Sequence, residues 1–491
     1  MTKYTKCFKD HLISITLFFL LGCRLVAMIF IPLNDTTEAR YAEIARKMLE
    51  TGDWITPMHD YGVPFWGKPP LSFWLSALSM KLFGVHAFAA RLPSLFLSLG
   101  VLWVIYAHAK QWLGKPAALT TTLVLSSSIA FFISSGAVMT DPALLFFTTL
   151  TLIACINALN IQHSAWRFIF FIGLGGGLLS KGPVALVLTG MPIFFWVLFY
   201  NQWRELWKNI PWISGTLLML AIAAPWYILA EMKTPGFLNY FIIGEHIGRF
   251  VEHGWQGDKY GFAHKAHYGV ILVFALIGIF PWTIGVMIWL KKHMKQLPTL
   301  CKSFKGWTTY WLFALFLPII FFSIARNVIW PYVLSSLPPF ALIYANFTQQ
   351  TGLSEPFKKY FSFYASLSGI LLLIATSFFI IMPGHVAKSQ KYIIALWLKE
   401  HPLQESKLIY WSNHSRLDFS AAFYSSGRAK ITDDPKTLRT WLMNGPQNAV
   451  ITDSSMPKSL PKDLLPKLTQ ISSISMKHTY TLYRFNPSSV I

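Results

Sequence analysis

PLNDTTEARYAEIARKMLETGDWITPMHDYGVPFWGKPP, residues Pro32–Pro70, is the stretch that decides how the rest of the chain is read. It separates two long apolar runs and is dense in Asp, Glu, Arg, Tyr, Trp and Pro. A polar loop of this length between apolar runs is uncommon unless it carries function. The other segments are therefore placed by the side of the membrane on which they meet it.

The composition outside the loop fixes the class. The chain is 54% hydrophobic and only 13% charged, with mean hydropathy +0.45, where a soluble domain carries about 25% charged residues. This is the composition of a polytopic helical membrane protein. The formal net charge of +21 fits basic loops at anionic headgroups, so no nucleic-acid partner is expected. Cys7, Cys23, Cys155 and Cys301 form no Cys-x-x-Cys pair, so no disulfide framework or zinc knuckle is readable.

Apolar runs predict about eleven spans: 12–32, 88–108, 116–135, 141–160, 166–180, 182–200, 211–230, 268–290, 307–324, 328–346 and 360–382. The first follows Lys3, Lys6 and Lys9. It continues past a lipoprotein-like LLGC through Val26–Ile31, long enough for an uncleaved span. Leu71–Phe83 has only about 13 residues, and Lys81 and its Pro69-Pro70 entry favour a helix lying in the interface. With that segment not crossing, Lys110, Arg167, Arg204, Lys291, Lys302, Lys305, Lys358 and Lys359 share a side with the N-terminus. This positive-inside pattern puts the N-terminus in the cytoplasm. The first outer loop 33–87, Asp141, Lys181, the loop Glu231–His267 and Arg326 then face the outer water. The expected organisation is a membrane unit over 1–382 and a small soluble α/β domain over 383–491, where alternating runs such as KLIYWS and TYTLYRF appear.

Several outer residues suit chemistry, each beside a plainer reading. Asp35 and Glu38 resemble a capping box, but beside Arg40 and Glu43 they also suit a base next to a phosphate site. Lys68, fixed by two prolines and flanked by Trp66, is a snorkelling lysine or a cation for an anionic headgroup. Asp141 caps a helix or faces Asp35. Lys181 is a loop lysine or a further phosphate ligand. Glu245 and Arg249 form an i,i+4 pair. His246, His253, His264 and His267 match no standard zinc spacing, so neither metal nor cofactor is expected.

With those residues in hand, the chain resembles the GT-C lipid-linked sugar transferases, in particular the bacterial 4-amino-4-deoxy-L-arabinose lipid A transferase and protein mannosyltransferase-like family. The resemblance rests on TEARYAEIARKMLETGDWITP, GVPFWGKPPLSFWLSALSMKLFG with AARLPS, TDP at 140–142, LLSKGP, FLNYFIIGEHIGRF and FFSIARNVIWPYVLSSLPP. It implies a polyprenyl-phosphate sugar donor and a lipid or protein acceptor in the envelope of an inner membrane. By motif it implies Asp35 or Glu38 as the loop carboxylate, supported by Asp141. Arg40, Lys68, Lys181 and Arg249 would lie at the donor phosphate, with Tyr41, Trp66, Glu245, His246 and Arg326 around sugar and acceptor. The sequence departs from the family at Thr37, where a carboxylate is usual, and at Gly67, where the family has Glu. A protein O-mannosyltransferase-like enzyme is one alternative. A transporter or flippase of lipid-linked sugars is another, but it would put ionisable groups at mid-membrane, where only Arg24 sits.

Overall fold

The computed structural model describes residues 3–161, 165–252, 255–261, 266–296, 306–351, 361–382, 388–400, 405–413, 416–444, 448–454, 459–475 and 478–486. His253, His264, Cys301, Lys302, Lys305, Lys358 and Lys359 lie outside the described residues.

The protein is a mostly helical, multi-pass membrane protein with one five-stranded sheet. The membrane helices are α1 (Lys3–Phe30), α4 (Ala87–Leu113), α5 (Lys115–Ser127), α6 (Ile129–Ser134), α7 (Asp141–Asn160), α8 (Trp166–Lys181), α9 (Val184–Tyr200) and α11 (Trp212–Lys233), with the short α10 (Trp203–Asn209) between the last two. Helices Trp307–Ser323, Leu337–Thr351 and Phe361–Ile381 follow. Among the described residues five helices are long and apolar enough to cross a membrane; Val270–Gly278 with Trp282–His293, bent by 99°, makes a sixth if counted as one. Several expected spans are thus shorter or broken. The run 116–135 breaks at Ser128 because the Ser127 and Ser128 hydroxyls donate back to Leu123 and Val124 carbonyls, while Ile129 N–H leaves the helix ladder for Phe280 O. The run 328–346 begins as a 3₁₀ turn over Trp330–Ser336 before becoming α-helical.

The loop between α1 and α4 is a folded layer. It contains α2 (Thr37–Thr51), the hairpin β1 (Met58–Asp60) and β2 (Val63–Pro64), and α3 (Leu71–Phe83). Thirteen residues of helix reach about 20 Å, well short of the ~30 Å hydrocarbon thickness. Phe73, Ala77 and Met80 of α3 are buried with Ala42, Ala45 and Met48 of α2. Ser76 and Ser79 donate to the carbonyls of Ala90 and Ala89 at 3.0 and 2.6 Å, tying α3 to α4.

The last part of the chain forms a sheet of order β4-β3-β5-β7-β6. Its strands are β3 (Leu408–Trp411), β4 (Ala429–Thr432), β5 (Ala449–Asp453), β6 (Leu468–Ser475) and β7 (Thr479–Phe485). β3 runs parallel to β4 and β5, and β7 runs antiparallel to β5 and β6. Alternate residues of β3 and β5 feed two cores, Leu408, Tyr410 and Ile451 on one face and Ile409, Trp411 and Val450 on the other. The short helix Phe419–Tyr424 docks this region on the first loop: Phe419 and Phe423 are buried with Tyr41, Phe65 and Phe73.

Candidate active site

The site begins with a glycine. Gly182 ends α8 with φ +84°, and a Cβ there would stand 2.6 Å from the Phe241 ring. The bare backbone lets α8 meet the π-helix Asn239–Gly248. His246 on that π-helix completes the joint: Nδ1 lies 2.7 Å from Phe241 O and Nε2 3.3 Å from Lys181 O. Both partners are carbonyl oxygens, so a neutral ring donates to one of the two. Burial holds the imidazole below its ordinary pKa and therefore neutral. His246 locks the end of α8 against the π-helix.

This joint brings three cations to one cavity. Lys68 reaches it from the Gly67-Lys68-Pro69-Pro70 turn, Lys181 from the end of α8 and Arg249 from just after the π-helix. Each has a carboxylate partner. Lys181 Nζ lies 2.5 Å from Asp141 Oδ1, at the first residue of α7, and 4.6 Å from the Tyr332 ring centroid. Glu245 accepts from Lys68 at 3.1 Å and from Arg249 at 2.9 Å, and Arg249 also reaches Asp258 at 3.0 Å. Burial works against a charged Glu245, but Lys68 and Arg249 outweigh it and hold its carboxyl below the usual glutamate range. Three cations and two carboxylates line the wall.

The cavity has a volume of about 410 Å³, within the ordinary range for small-ligand sites. The rest of its wall is mostly apolar, with Leu144, Val184, Val187, Leu188 and Phe321. Val187 and Ile247 are exposed on the protein's outer surface. A charged end and an apolar flank in one cavity fit an anionic headgroup on a hydrocarbon chain.

Other predicted site residues stand elsewhere. Asp35 does not line this cavity. It accepts from Ser420 N at 3.1 Å and from the Ser420 hydroxyl, on the docking helix of the sheet region. It faces neither Asp141 nor an α2 cap; the α2 N-cap is Thr36, with no side-chain cap bond. Burial first, then the nearby Asp418, push the Asp35 carboxyl up to about 7 against the Ser420 bonds. Glu38 is also committed elsewhere. Its two oxygens accept from Arg91 Nε and Nη2 at 2.8 and 2.9 Å, and Oε1 also accepts from Val138 N at 3.2 Å. Burial opposes its ionisation, but Arg91 and the backbone donors prevail and keep the carboxyl below its ordinary range. Glu38 thus clamps α2 to α4 and to the turn before α7. A reach back to Asn34 N survives only at 3.4 Å.

Arg40 donates to Tyr260 O at 2.8 Å and packs over the Tyr41 and Phe65 rings. Tyr41 is buried edge-on to Phe73. The Trp66 indole donates to Thr234 at 3.1 Å, with Lys259 over its ring. Arg326 stacks on Tyr268. These four brace the loops and do not line the cavity. Among the described residues no group of three His, Cys, Asp or Glu side chains is arranged to hold a metal.

Sequence reasoning passed over Tyr332, Asp258 and Arg91. Tyr332 and Arg91 lay within quoted motifs, IWPYV and AARLPS, but an apolar setting hid their partners. Asp258 carries no local pattern at all.

The chain is similar to several known proteins. Residues 13–241 match the family profile described as dolichyl-phosphate-mannose-protein mannosyltransferase. The undecaprenyl phosphate-alpha-4-amino-4-deoxy-L-arabinose arabinosyl transferase of Enterobacter sp. (strain 638) is 29% identical over 346 residues, 68% of this chain and 59% of that protein. The protein of the same name from Aeromonas hydrophila is 29% identical over 349 residues, 70% and 61% of the two chains. The chain thus spans about three-fifths of the length of these curated relatives. The crystal structure of ArnT from Cupriavidus metallidurans bound to undecaprenyl phosphate superposes with TM-score 0.72 at 18% identity, covering 97% of this chain and 98% of that one. The apo crystal structure of the same protein gives TM-score 0.72 over 98% of each chain. The fold is shared with the C. metallidurans ArnT structures over nearly the whole chain.

Proposed function

We propose that this chain is an integral-membrane glycosyltransferase that moves a sugar from a polyprenyl-phosphate donor to a lipid A-type or other envelope acceptor. The carrying observation is the convergence of Lys68, Lys181 and Arg249, from three distant segments, on one cavity with an apolar flank. The relatives' names, which specify undecaprenyl phosphate-aminoarabinose, support this donor class. The family profile match supports a second reading, a protein acceptor. On this reading the enzyme sits in the inner membrane with its N-terminus in the cytoplasm. Residues 1–382 form the transferase unit, and residues 383–491 form an outer-face unit resting on the first loop.

In the proposed reaction an acceptor oxygen attacks the anomeric carbon as the bond to the donor phosphate breaks. The electron pair leaves on the phosphate oxygen. Lys68 and Arg249 meet that charge, and Lys181 holds Asp141. Positioned donors of this kind are worth about 2–4 kcal/mol each. Of the three candidate carboxylates, Asp141 is the one on the cavity wall, so it takes the acceptor proton or orients the acceptor. Direct displacement inverts the anomeric centre, and these cations meet the phosphate charge without calling on a metal.

The test is mass spectrometry of lipid A, other glycolipids and envelope proteins from cells with and without the gene. A missing pentosamine on lipid A supports the first reading, and a hexose missing from proteins supports the second. Unchanged glycans in all fractions overturn both.

A further inference from the structure

A second cavity, of about 280 Å³, lies away from the transferase site between α1, α4, α5 and α6. Its wall is apolar except for one cation and a few hydroxyls. The cation is Arg24, on α1, six residues before the helix ends and so about 9 Å below it at 1.5 Å per residue. Arg24 is 7% exposed. Among the described residues its Nε finds no hydrogen-bond partner. Ser98 on α4, 2% exposed, lines the same cavity, and its hydroxyl is likewise unpartnered. The hydroxyls of Ser126 and Ser135 already donate to the Leu123 and Phe132 carbonyls.

Among the described residues no carboxylate forms a salt bridge with Arg24. Arg91 and Glu38 are the ionisable groups acting on it, and Glu38 is taken up by the bidentate Arg91 pair. The three groups together leave one positive charge. An arginine in a membrane-spanning helix is costly when uncompensated. The backbone nonetheless makes room for it: a Cβ at Gly136 would collide with the guanidinium. The cavity also opens sideways. Phe18 is 75% exposed and Leu99 38% exposed, and the wall runs along α1 back to Ser14, about 15 Å from Arg24 at the helical rise. That length suits the upper part of an acyl chain.

We propose that this cleft binds an anionic phospholipid of the bilayer, with its headgroup phosphate on Arg24 and Ser98 and one acyl chain along α1 and α4. A guanidinium offers a planar fork of donors that matches phosphate oxygens, and Ser98 adds one more donor. The lipid supplies the counter-charge the helices lack. This site shares no lining residue with the transferase cavity, so the proposal stands whether or not the donor reading holds.

The test uses the full chain purified in detergent, with native mass spectrometry counting retained lipids and thermal shift on adding phosphatidylglycerol or phosphatidylcholine. Wild type should retain one phosphatidylglycerol that Arg24→Gln loses, with affinity down about tenfold, and should be stabilised more by phosphatidylglycerol than by phosphatidylcholine. Should Arg24→Gln fail to fold, Ser98→Val keeps the charge and removes one donor. It should still weaken phosphatidylglycerol retention. Equal retention by wild type and a folded variant overturns the proposal. So does stabilisation by inorganic phosphate alone with no lipid adduct, or displacement of the phosphatidylglycerol by equimolar undecaprenyl phosphate.

Discussion

Glu245→Gln should convert the three-cation cavity from a self-neutralised site into one that depends on its ligand for stability. In the wild type Glu245 is the shared partner of Lys68 and Arg249, and its carboxylate is only 3% exposed. Breaking a fully buried ion pair by removing one partner costs about 3–5 kcal/mol. Here the cations are 19% and 24% exposed toward the cavity, and Arg249 keeps Asp258. Both can therefore rehydrate in part, and about 2 kcal/mol is the expected loss after that screening. The empty variant should melt a few degrees below wild type. A phosphate-bearing ligand then meets two cations with no competing carboxylate, so it should bind the variant more tightly. Binding to the folded state stabilises by RT ln(1 + [L]/Kd), about 2.7 kcal/mol at a hundred times Kd. Thermal unfolding in detergent, with and without undecaprenyl phosphate, reads both effects. The expected result is a lower melting point for the empty variant and a larger ligand-induced rise than wild type shows. A variant that melts like wild type and gains nothing extra from the ligand would refute the reasoning.

Other perturbations have separate outcomes. Asp35→Asn should retain at least half of the transfer activity in a membrane assay, because Asp35 contacts Ser420 and not the cavity; an inactive but folded variant would return the catalytic role to it. The raised Asp35 pKa, about 7, also gives a pH dependence. A carboxyl that holds its proton more tightly when folded contributes stability at low pH, and this declines between its unfolded pKa of about 4 and 7. Proteolysis between the first loop and residues 416–424 should therefore rise from pH 6 to 8 in wild type and stay flat in Asp35→Asn. Glu38→Gln breaks a partly buried bidentate pair, Glu38 being 18% exposed, and should cost about 2–3 kcal/mol, read as a lowered denaturation midpoint. Gly182→Ala forces a strained φ against the Phe241 ring and should reduce transfer, with the donor Kd rising rather than the fold failing.

Much of this arrangement was legible because the membrane constrains it. Asp141 and Lys181 sit at the ends of apolar runs, and Lys68 and Arg249 in loops between them; a consistent topology puts all four on one side of the bilayer, and the structure gathers them at one cavity. What stayed hidden is pairing across long separations. Nothing near Asp35 announces a partner 385 residues away. Glu38 resembles a helix cap until Arg91 on α4 takes both its oxygens. The breaks at Ser128 and in 328–346 were equally invisible, since serine and proline are tolerated in membrane helices and the apolar run continues through them.

The most direct test of the central claim is a cryo-EM structure of the protein with undecaprenyl phosphate. The account predicts phosphate density within hydrogen-bond reach of Lys68 Nζ and the Arg249 guanidinium, with the prenyl chain leaving past Val187. Phosphate bound anywhere else, with that cavity empty, would contradict it.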